Sequence, residues 1–158
     1  MDTRFGTLEE LIANRFAADL PASGRRALAR IARLEVLAPG TVALREGRPT
    51  ERLGVVIDGR LSVRTRVPGH PDVTLLTLEP GDVFGWSAVL DGTATSSVVA
   101  LRESTVMVFD RGDLMRVVEG NAGVAAVVYR RLLKTVADRL VRTRLQLLDV
   151  YGPGRVAR

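Results

Sequence analysis

Cysteine is absent from this chain of 158 residues, and histidine occurs only once. Without cysteine the chain can form neither a disulfide framework nor a thiolate metal site. The start of the sequence also lacks the pattern of a secretory signal, and both absences favour a reducing compartment. The expected location is therefore the cytoplasm.

Candidates for catalytic chemistry are missing too. The single histidine, His70, lies between Gly69 and Pro71, where a turn with a solvated side chain is expected. No pairing of a nucleophile with a base and no phosphate-hydrolysing constellation occurs in the sequence. We therefore predict a protein that is not an enzyme, with no catalytic residues, no metal site and no cofactor.

Long apolar runs are also lacking. The longest run, residues 122–129, contains Gly123 and is followed by two arginines, and it falls far short of the roughly 20 residues that cross a bilayer. We predict no membrane span. Lysine and arginine total 23 against 18 aspartate and glutamate residues, but the arginines are spread along the whole chain. Because of this spread, we interpret the positive net charge as compositional bias and treat a nucleic-acid-binding surface as the alternative.

What the sequence does contain is an ordered series of periodicities, in a chain that is 46% apolar and suits one domain. Residues 8–16 and 25–31 have apolar residues at helical spacing. From about Leu34 to Phe109, glycine-containing turns separate short segments with strand-like alternation. These predicted strands are residues 41–45, 55–57, 61–66, 73–78, 98–101 and 106–109. The predicted fold is mainly β, closed or sandwiched, with flanking helices.

The helical period returns after Asp110. Residues 111–119 are predicted to form a short helix, and residues 122–148 one long helix after a break at residues 120–121. Along the long helix, five apolar residues and a threonine recur at alternating steps of four and three, the pattern of a two-stranded coiled coil. These residues, hereafter the seam, are Tyr129, Leu133, Val136, Leu140, Thr143 and Leu147. They predict a parallel homodimer; the alternative is that this face packs on the chain's own β domain.

Basic side chains surround the same helix, with few acids among them. They are Arg130, Arg131, Lys134, Arg139, Arg142 and Arg144. We interpret them as a solvated face, and docking to an acidic protein partner or to nucleic acid is the alternative.

Four segments, in order and with matching spacing, resemble the cyclic-nucleotide-binding domain superfamily. They are LAPGTVALREG (residues 37–47), VVIDGRLSV (55–63), LEPGDVFG (78–85) and ALRESTVMV (100–108). The resemblance implies a double-stranded, jelly-roll-like β-roll over residues 1–120, followed by a long C-terminal dimerisation helix over residues 121–149.

Within that superfamily the sequence is most similar to the sensor half of bacterial catabolite-activator-type transcription regulators. In that group the long helix leads into a helix-turn-helix domain, and residues 150–158 resemble the junction to it. Because the sequence stops there, the resemblance implies no sequence-specific DNA binding by this chain alone. Either the gene lacks the DNA-binding domain or the chain is a sensor fragment, and the sequence fits both.

The resemblance also implies a ligand site in residues 84–100, FGWSAVLDGTATSSVVA, hereafter the cassette. In the family, backbone N–H groups of a short helix and an arginine hold a cyclic phosphate, while a glutamate accepts from the ribose. Phe84 and Gly85 match the family pattern, and Ser87 and Ala88 begin the short helix. The backbone part of the site is therefore expected to persist.

Both charged residues of that pattern are missing. Trp86 stands at the glutamate position, and Ala94 or Thr95 stands at the arginine position. Loss of the arginine is expected to weaken phosphate binding by about tenfold to hundredfold. Trp86 either stacks on a purine or a partner, or fills the space that a ribose would occupy.

Other side chains are candidates to replace the missing charged contacts with a ligand. Thr93, Thr95, Ser96 and Ser97 form a hydroxyl-rich lip, which either binds a neutral or weakly charged group or bonds to its own loop. Arg64 and Arg66 share one face of a predicted strand, where they are either exposed or one of them substitutes for the missing guanidinium. Thr143 resembles the family's base-contacting threonine, or it sets the register of the seam.

Three functions fit these observations. The first is a regulatory sensor that binds a small ligand and signals through the long helix to a partner protein. A cyclic nucleotide, held in a non-standard way, is the candidate ligand. The second is a dimeric scaffold or interaction domain with a degenerate, ligand-free pocket. The third is the sensor fragment of a transcription regulator.

Overall fold

The computed structural model describes residues 5–90 and 92–151. Helices open the chain. A single turn, α1 (Leu8–Leu11), begins with a reciprocal cap in which Glu10 N donates to Thr7 Oγ1 at 3.2 Å and Thr7 N donates to Glu10 Oε2 at 2.7 Å. A π-helical turn (Ile12–Phe16) continues α1, and α2 (Ala22–Ala29) follows. The predicted helix over residues 8–16 is therefore present, but it widens after its first turn.

Two antiparallel sheets of four strands each make up the centre of the described chain. The first sheet has the order β1-β8-β3-β6, and the second has the order β2-β7-β4-β5. The strands are β1 (Ala32–Leu37), β2 (Val42–Leu44), β3 (Arg52–Asp58), β4 (Leu61–Thr65), β5 (Val73–Leu78), β6 (Val83–Phe84), β7 (Ser97–Ala100) and β8 (Ser104–Asp110). The chain passes repeatedly from one sheet to the other, as in a jelly roll. The predicted mainly β fold with flanking helices is confirmed.

Strand alternation divides the interior into two cores. On β3, Leu53, Val55 and Ile57 face the helices, whereas Val56 faces the second sheet. Strand β8 behaves in the same way, because its alternate residues Met107 and Phe109 pack towards the helices. One core thus lies between the first sheet and the helices, and the other lies between the two sheets. The first core is what attaches the helices to the roll.

Two helices close the described chain, α3 (Arg111–Gly120) and α4 (Ala122–Tyr151). Asn121 separates them in an extended conformation, and its Oδ1 accepts a hydrogen bond from Val124 N at 3.0 Å. Of the predicted break at residues 120–121, Gly120 belongs to α3, and Asn121 is an N-terminal cap for α4. The long C-terminal helix is confirmed.

The long helix buries one stripe and exposes another. Val124, Val128, Leu132 and Thr135 are buried against the first core or its edge. The seam lies about a quarter turn away, and Leu133 and Leu140 on it are 70% and 61% exposed in the single chain. The structure therefore leaves much of the seam unpacked by the roll.

Several boundaries differ from the sequence prediction. Strand β4 ends at Thr65 rather than at Arg66, and neither β1 nor β6 is among the predicted strands. Because β6 pairs through only two residues, Val83 and Phe84, it is too short to show an alternating pattern. No helix in the described residues is long and apolar enough to span a membrane. Most of the predicted junction, residues 152–158, lies outside the described residues.

Candidate ligand-binding site

A cavity of about 290 Å³ opens between the second sheet, the cassette and the long helix. Most of its wall is apolar. The lining residues are Leu44, Val63, Leu75, Leu76, Phe84, Gly85, Trp86, Ser87, Ala94, Thr95, Ser96, Val98, Val136, Arg139, Leu140 and Thr143. A mainly apolar cavity with a few polar groups is the usual character of a small-molecule site.

The cavity brings together most of the site residues proposed from the sequence. Those that line it are Phe84, Gly85, Trp86, Ser87, Ala94, Thr95, Ser96 and Thr143. Three candidates do not line it. Ala88 is fully buried, Thr93 forms an isolated bridge with Pro49, and the Arg64 side chain donates from Nε to Ser62 Oγ at 2.8 Å. Arg64 therefore does not replace the missing guanidinium in this arrangement.

Gly85 turns the chain from β6 into a short 3₁₀ helix (Trp86–Leu90). Its φ is +73°, and a Cβ atom there would lie 2.2 Å from the carbonyl oxygen of Arg52. Both the backbone conformation and the close approach require glycine. Gly85 thus fixes where the cassette leaves the first sheet and starts to border the cavity.

Two contacts hold the 3₁₀ helix in place. The hydroxyls of Ser87 and Thr50 share a buried hydrogen bond at 2.6 Å. Arg111 Nε, at the start of α3, donates to Ala88 O at 2.9 Å. The Ser87 hydroxyl is therefore engaged with the neighbouring loop, and the cassette is joined directly to the helix that precedes α4.

The lip of the cavity is braced by residues 46–48. Ala94 N donates to Arg48 O and Gly47 N donates to Ala94 O, both at 2.8 Å. Ser97 Oγ accepts from Glu46 N at 3.0 Å. By contrast, the Thr95 and Ser96 hydroxyls form no hydrogen bond within the described part of the chain, so they remain available at the cavity wall.

Trp86 forms part of the wall and packs against the core beneath the helices. It is half-buried, and the cavity keeps its volume of about 290 Å³ beside the indole. The tryptophan therefore narrows the cavity without closing it. An aromatic face on the wall suits a planar apolar ligand.

Arg139 is the lining residue that sequence analysis assigned to the wrong environment. It was grouped with the solvated basic residues, but it lines the cavity and its Nη2 donates a short hydrogen bond to Val83 O on β6. Burial lowers the pKa of the Arg139 guanidinium, the charge of Asp82 raises it, and Arg142 adds to the lowering. Arg139 precedes Thr143 by four residues and so lies on the same side of the helix. This spacing could have indicated from the sequence that Arg139 lies near the ligand site.

Other polar side chains tie α4 to the roll. Arg131 donates from Nε to Phe16 O at 3.0 Å and from Nη2 to Gly81 O at 2.5 Å. Gln146 Nε2 donates to Leu75 O at 3.0 Å. Arg131, like Arg139, is therefore not part of a fully solvated face, and the long helix lies along the mouth of the roll.

A smaller cavity of about 200 Å³ lies on the other side of Phe84. Its wall includes Arg52 and Glu35, which form an ion pair at 2.8 Å. Phe84 lines both cavities and is almost completely buried. The aromatic ring is therefore the partition between the two spaces.

Comparison with known proteins assigns this arrangement to a family. The family described as "Cyclic nucleotide-binding domain" matches residues 34–121, which is more than half of the chain. The chain therefore belongs to the cyclic nucleotide-binding domain family, and the membership predicted from its four segments is confirmed.

A curated relative is the CRP-like cAMP-activated global transcriptional regulator of Mycobacterium tuberculosis. The two are 31% identical over 123 residues, which are 75% of this chain and 53% of the relative. The chain thus spans about half the length of the curated relatives it matches.

Solved structures agree on the fold. A cyclic nucleotide-binding domain from Methylobacillus flagellatus has a TM-score of 0.78 at 19% identity, over 95% of this chain and 85% of that chain. The N-terminal domain of a transcriptional regulator from Streptomyces coelicolor A3(2) has a TM-score of 0.65 at 26% identity, over 92% and 99% of the two chains.

Proposed function

We propose that this chain is the non-enzymatic, ligand-sensing module of a cytoplasmic regulatory protein. The observation that carries the proposal is the position of the cavity, which has the cassette on one side and the long helix on the other. A molecule in the cavity contacts both elements at once. Its binding therefore favours one placement of the helix over others.

The helix α4 transmits the effect of ligand binding to the rest of the regulatory protein. Val136, Arg139, Leu140 and Thr143 project from this helix to the cavity wall, and hydrogen bonds from Arg131 and Gln146 attach the same helix to the roll. A ligand that draws the helix inwards or pushes it outwards changes these attachments. A partner protein, or a further domain of the same regulatory protein, would detect the change.

A cyclic nucleotide is the first ligand to test. The relative in Mycobacterium tuberculosis is named as cAMP-activated. In this chain the cassette has Trp86 and either Ala94 or Thr95 where the family has its charged contacts, so the binding mode must differ. Thr95, Ser96 and Thr143 provide hydroxyls on the wall, and Trp86 provides an aromatic face.

We also propose that the chain functions as a homodimer. Tyr129, Leu133, Leu140 and Leu147 on the seam are between 42% and 70% exposed, and the roll covers none of them fully. Apolar side chains repeated at heptad spacing on an exposed helix face are stabilised by a second helix of the same kind. A second copy of this chain has the matching stripe.

The experiment that tests the sensor function is a thermal shift of the purified chain with cyclic AMP, cyclic GMP and cyclic di-GMP. A ligand that binds the folded state raises the unfolding midpoint. Thr95→Trp should reduce the shift because it fills the cavity from its lip. Thr93→Trp is the matched control, since Thr93 is exposed on the same loop and does not line the cavity.

Two results would contradict the proposal. One is the absence of any shift at millimolar ligand, which would favour a ligand-free scaffold. The other is an equal response in Thr95→Trp and Thr93→Trp, which would place the ligand elsewhere on the chain.

A further inference from the structure

The charges around the cavity are unbalanced. Among the sixteen described residues that line it, the only ionisable side chain is Arg139, and none of these sixteen is a carboxylate. The remaining wall consists of aliphatic and aromatic side chains, small residues and hydroxyls. A cationic ligand would therefore find no partner here, whereas an anionic ligand would find one.

The guanidinium of Arg139 has unused hydrogen-bonding capacity. It can donate five hydrogen bonds, and the one that it forms with the described residues goes to the backbone carbonyl of Val83. No carboxylate of the described residues lies within ion-pair distance of it, although the charge of Asp82 acts on it from farther away. A half-buried cation whose bonded partner is a neutral carbonyl gains from an anion placed beside it.

From this we infer that Arg139 is the anion-binding residue of the cavity, and that the ligand is a compact organic monoanion with an apolar or aromatic body. This inference rests on the proposed sensor function. One cation on the wall balances one negative charge, which disfavours polyphosphates. The body of the ligand would lie against Leu75, Phe84 and Trp86.

Arg139 lies on α4, the helix that is proposed to transmit the signal. The arginine that the cassette lacks would be replaced by one on α4 itself. The ligand's anionic group would bond to unused N–H groups of the same guanidinium that holds the Val83 carbonyl, and so ligand binding would act directly on the attachment of the helix to β6. Ligand binding would then be coupled to the placement of α4 without any intermediate structural element.

The test compares anionic probes with their neutral counterparts by calorimetric titration of the full chain. Cyclic AMP is paired with adenosine, and indoleacetate is paired with indoleacetamide. The two pairs distinguish a cyclic nucleotide from an aryl carboxylate as the source of the anion. For at least one pair, the wild-type chain should prefer the anion, and Arg139→Gln should reduce anion affinity by about tenfold to hundredfold.

Arg131→Gln is the matched control. It also removes hydrogen bonds between α4 and the roll, but Arg131 does not line the cavity. If Arg139 acted only by holding the helix, both variants would weaken the anion and its neutral counterpart alike. Arg139→Lys keeps the charge and should retain part of the anion preference, which preserves the test if the glutamine variant fails to fold.

The outcomes separate the two proposals. Loss of the anion preference in Arg139→Gln but not in Arg131→Gln supports the inference. An unchanged preference in Arg139→Gln, or equal affinity of the wild type for anion and neutral counterpart, overturns it and leaves the sensor function standing. The absence of binding by all four probes overturns this ligand class and also counts against the sensor function.

Discussion

The ring of Phe84 lies directly against the backbone of Gly54. A Cβ atom on Gly54 would lie 2.0 Å from Phe84 Cζ and 2.4 Å from Cε1. These residues are register partners on β3 and β6, so the absence of a side chain on one strand makes room for the aromatic ring on the other. The position of Phe84, and with it the floor of the ligand cavity, depends on this glycine.

Gly54→Ala should therefore destabilise the fold by about 1–3 kcal/mol through overpacking, measured as the free energy of unfolding in urea. Gly112→Ala is the control, because Gly112 lies in α3 and a Cβ there meets nothing within 4 Å. That variant should be neutral or stabilising by about 0.5–1 kcal/mol. Equal stability of the two variants would contradict the role assigned to Gly54.

Leu133→Arg should convert the dimer to a monomer, because it places a charge on the seam. Leu145→Arg makes the same chemical change at a position that is 57% exposed but lies on the other side of the helix. It should leave association unchanged. Sedimentation equilibrium of the three chains is the measurement. The seam would be wrongly assigned if wild type and Leu133→Arg sedimented as the same species.

Asn121→Ala should lower the free energy of unfolding by about 0.5–2 kcal/mol, because it removes the side-chain acceptor at the start of α4. Asn121→Ser retains a hydroxyl acceptor and should lose less stability. Urea unfolding followed by far-ultraviolet circular dichroism would compare them. If serine and alanine had the same effect, the cap would not be the source of the stabilisation.

The ion pair between Arg33 and Asp110 predicts a dependence of stability on pH. Arg33 donates to both Asp110 oxygens, at 2.6 and 3.0 Å, and this bonding lowers the pKa of Asp110. The contribution is therefore present above the ordinary aspartate pKa of about 4 and is lost as pH falls through the lowered pKa of the folded state. Both side chains are about half exposed, so the effect should be small.

Asp110→Asn should reduce the loss of stability between neutral and strongly acidic pH, relative to wild type. Arg33→Gln should do the same, and the double variant should add little, since both changes remove one interaction. Urea midpoints measured across this pH range are the readout. Additive effects of the two substitutions would show that the residues act separately.

Sequence alone predicted much of the fold because the relevant patterns are long. The segment around Val63 alternates between apolar and polar residues, and residues 122–148 keep a helical period for many turns. The cassette was located because Phe84 and Gly85 follow a recognisable turn at Gly81. By contrast, β6 has two residues, and no alternation can be recognised in so short a segment.

The environment of Arg139 could not be predicted for a different reason. A long side chain on a helix can extend into solvent or fold back over a neighbouring surface, and spacing does not distinguish these conformations. The choice depends on the Val83 carbonyl, which is far away in the sequence and is brought near by the fold. The same holds for Arg131 and Gly81. Such contacts are tertiary, and a local sequence pattern does not predict them.

Val136, Leu140 and Thr143 belong both to the seam and to the cavity wall. A ligand that alters the exposure of these side chains alters the association constant of two copies. By thermodynamic reciprocity, association then alters ligand affinity by the same factor. Ligand sensitivity would accordingly vary with the protein's own concentration, so that expression level becomes a second input to the response.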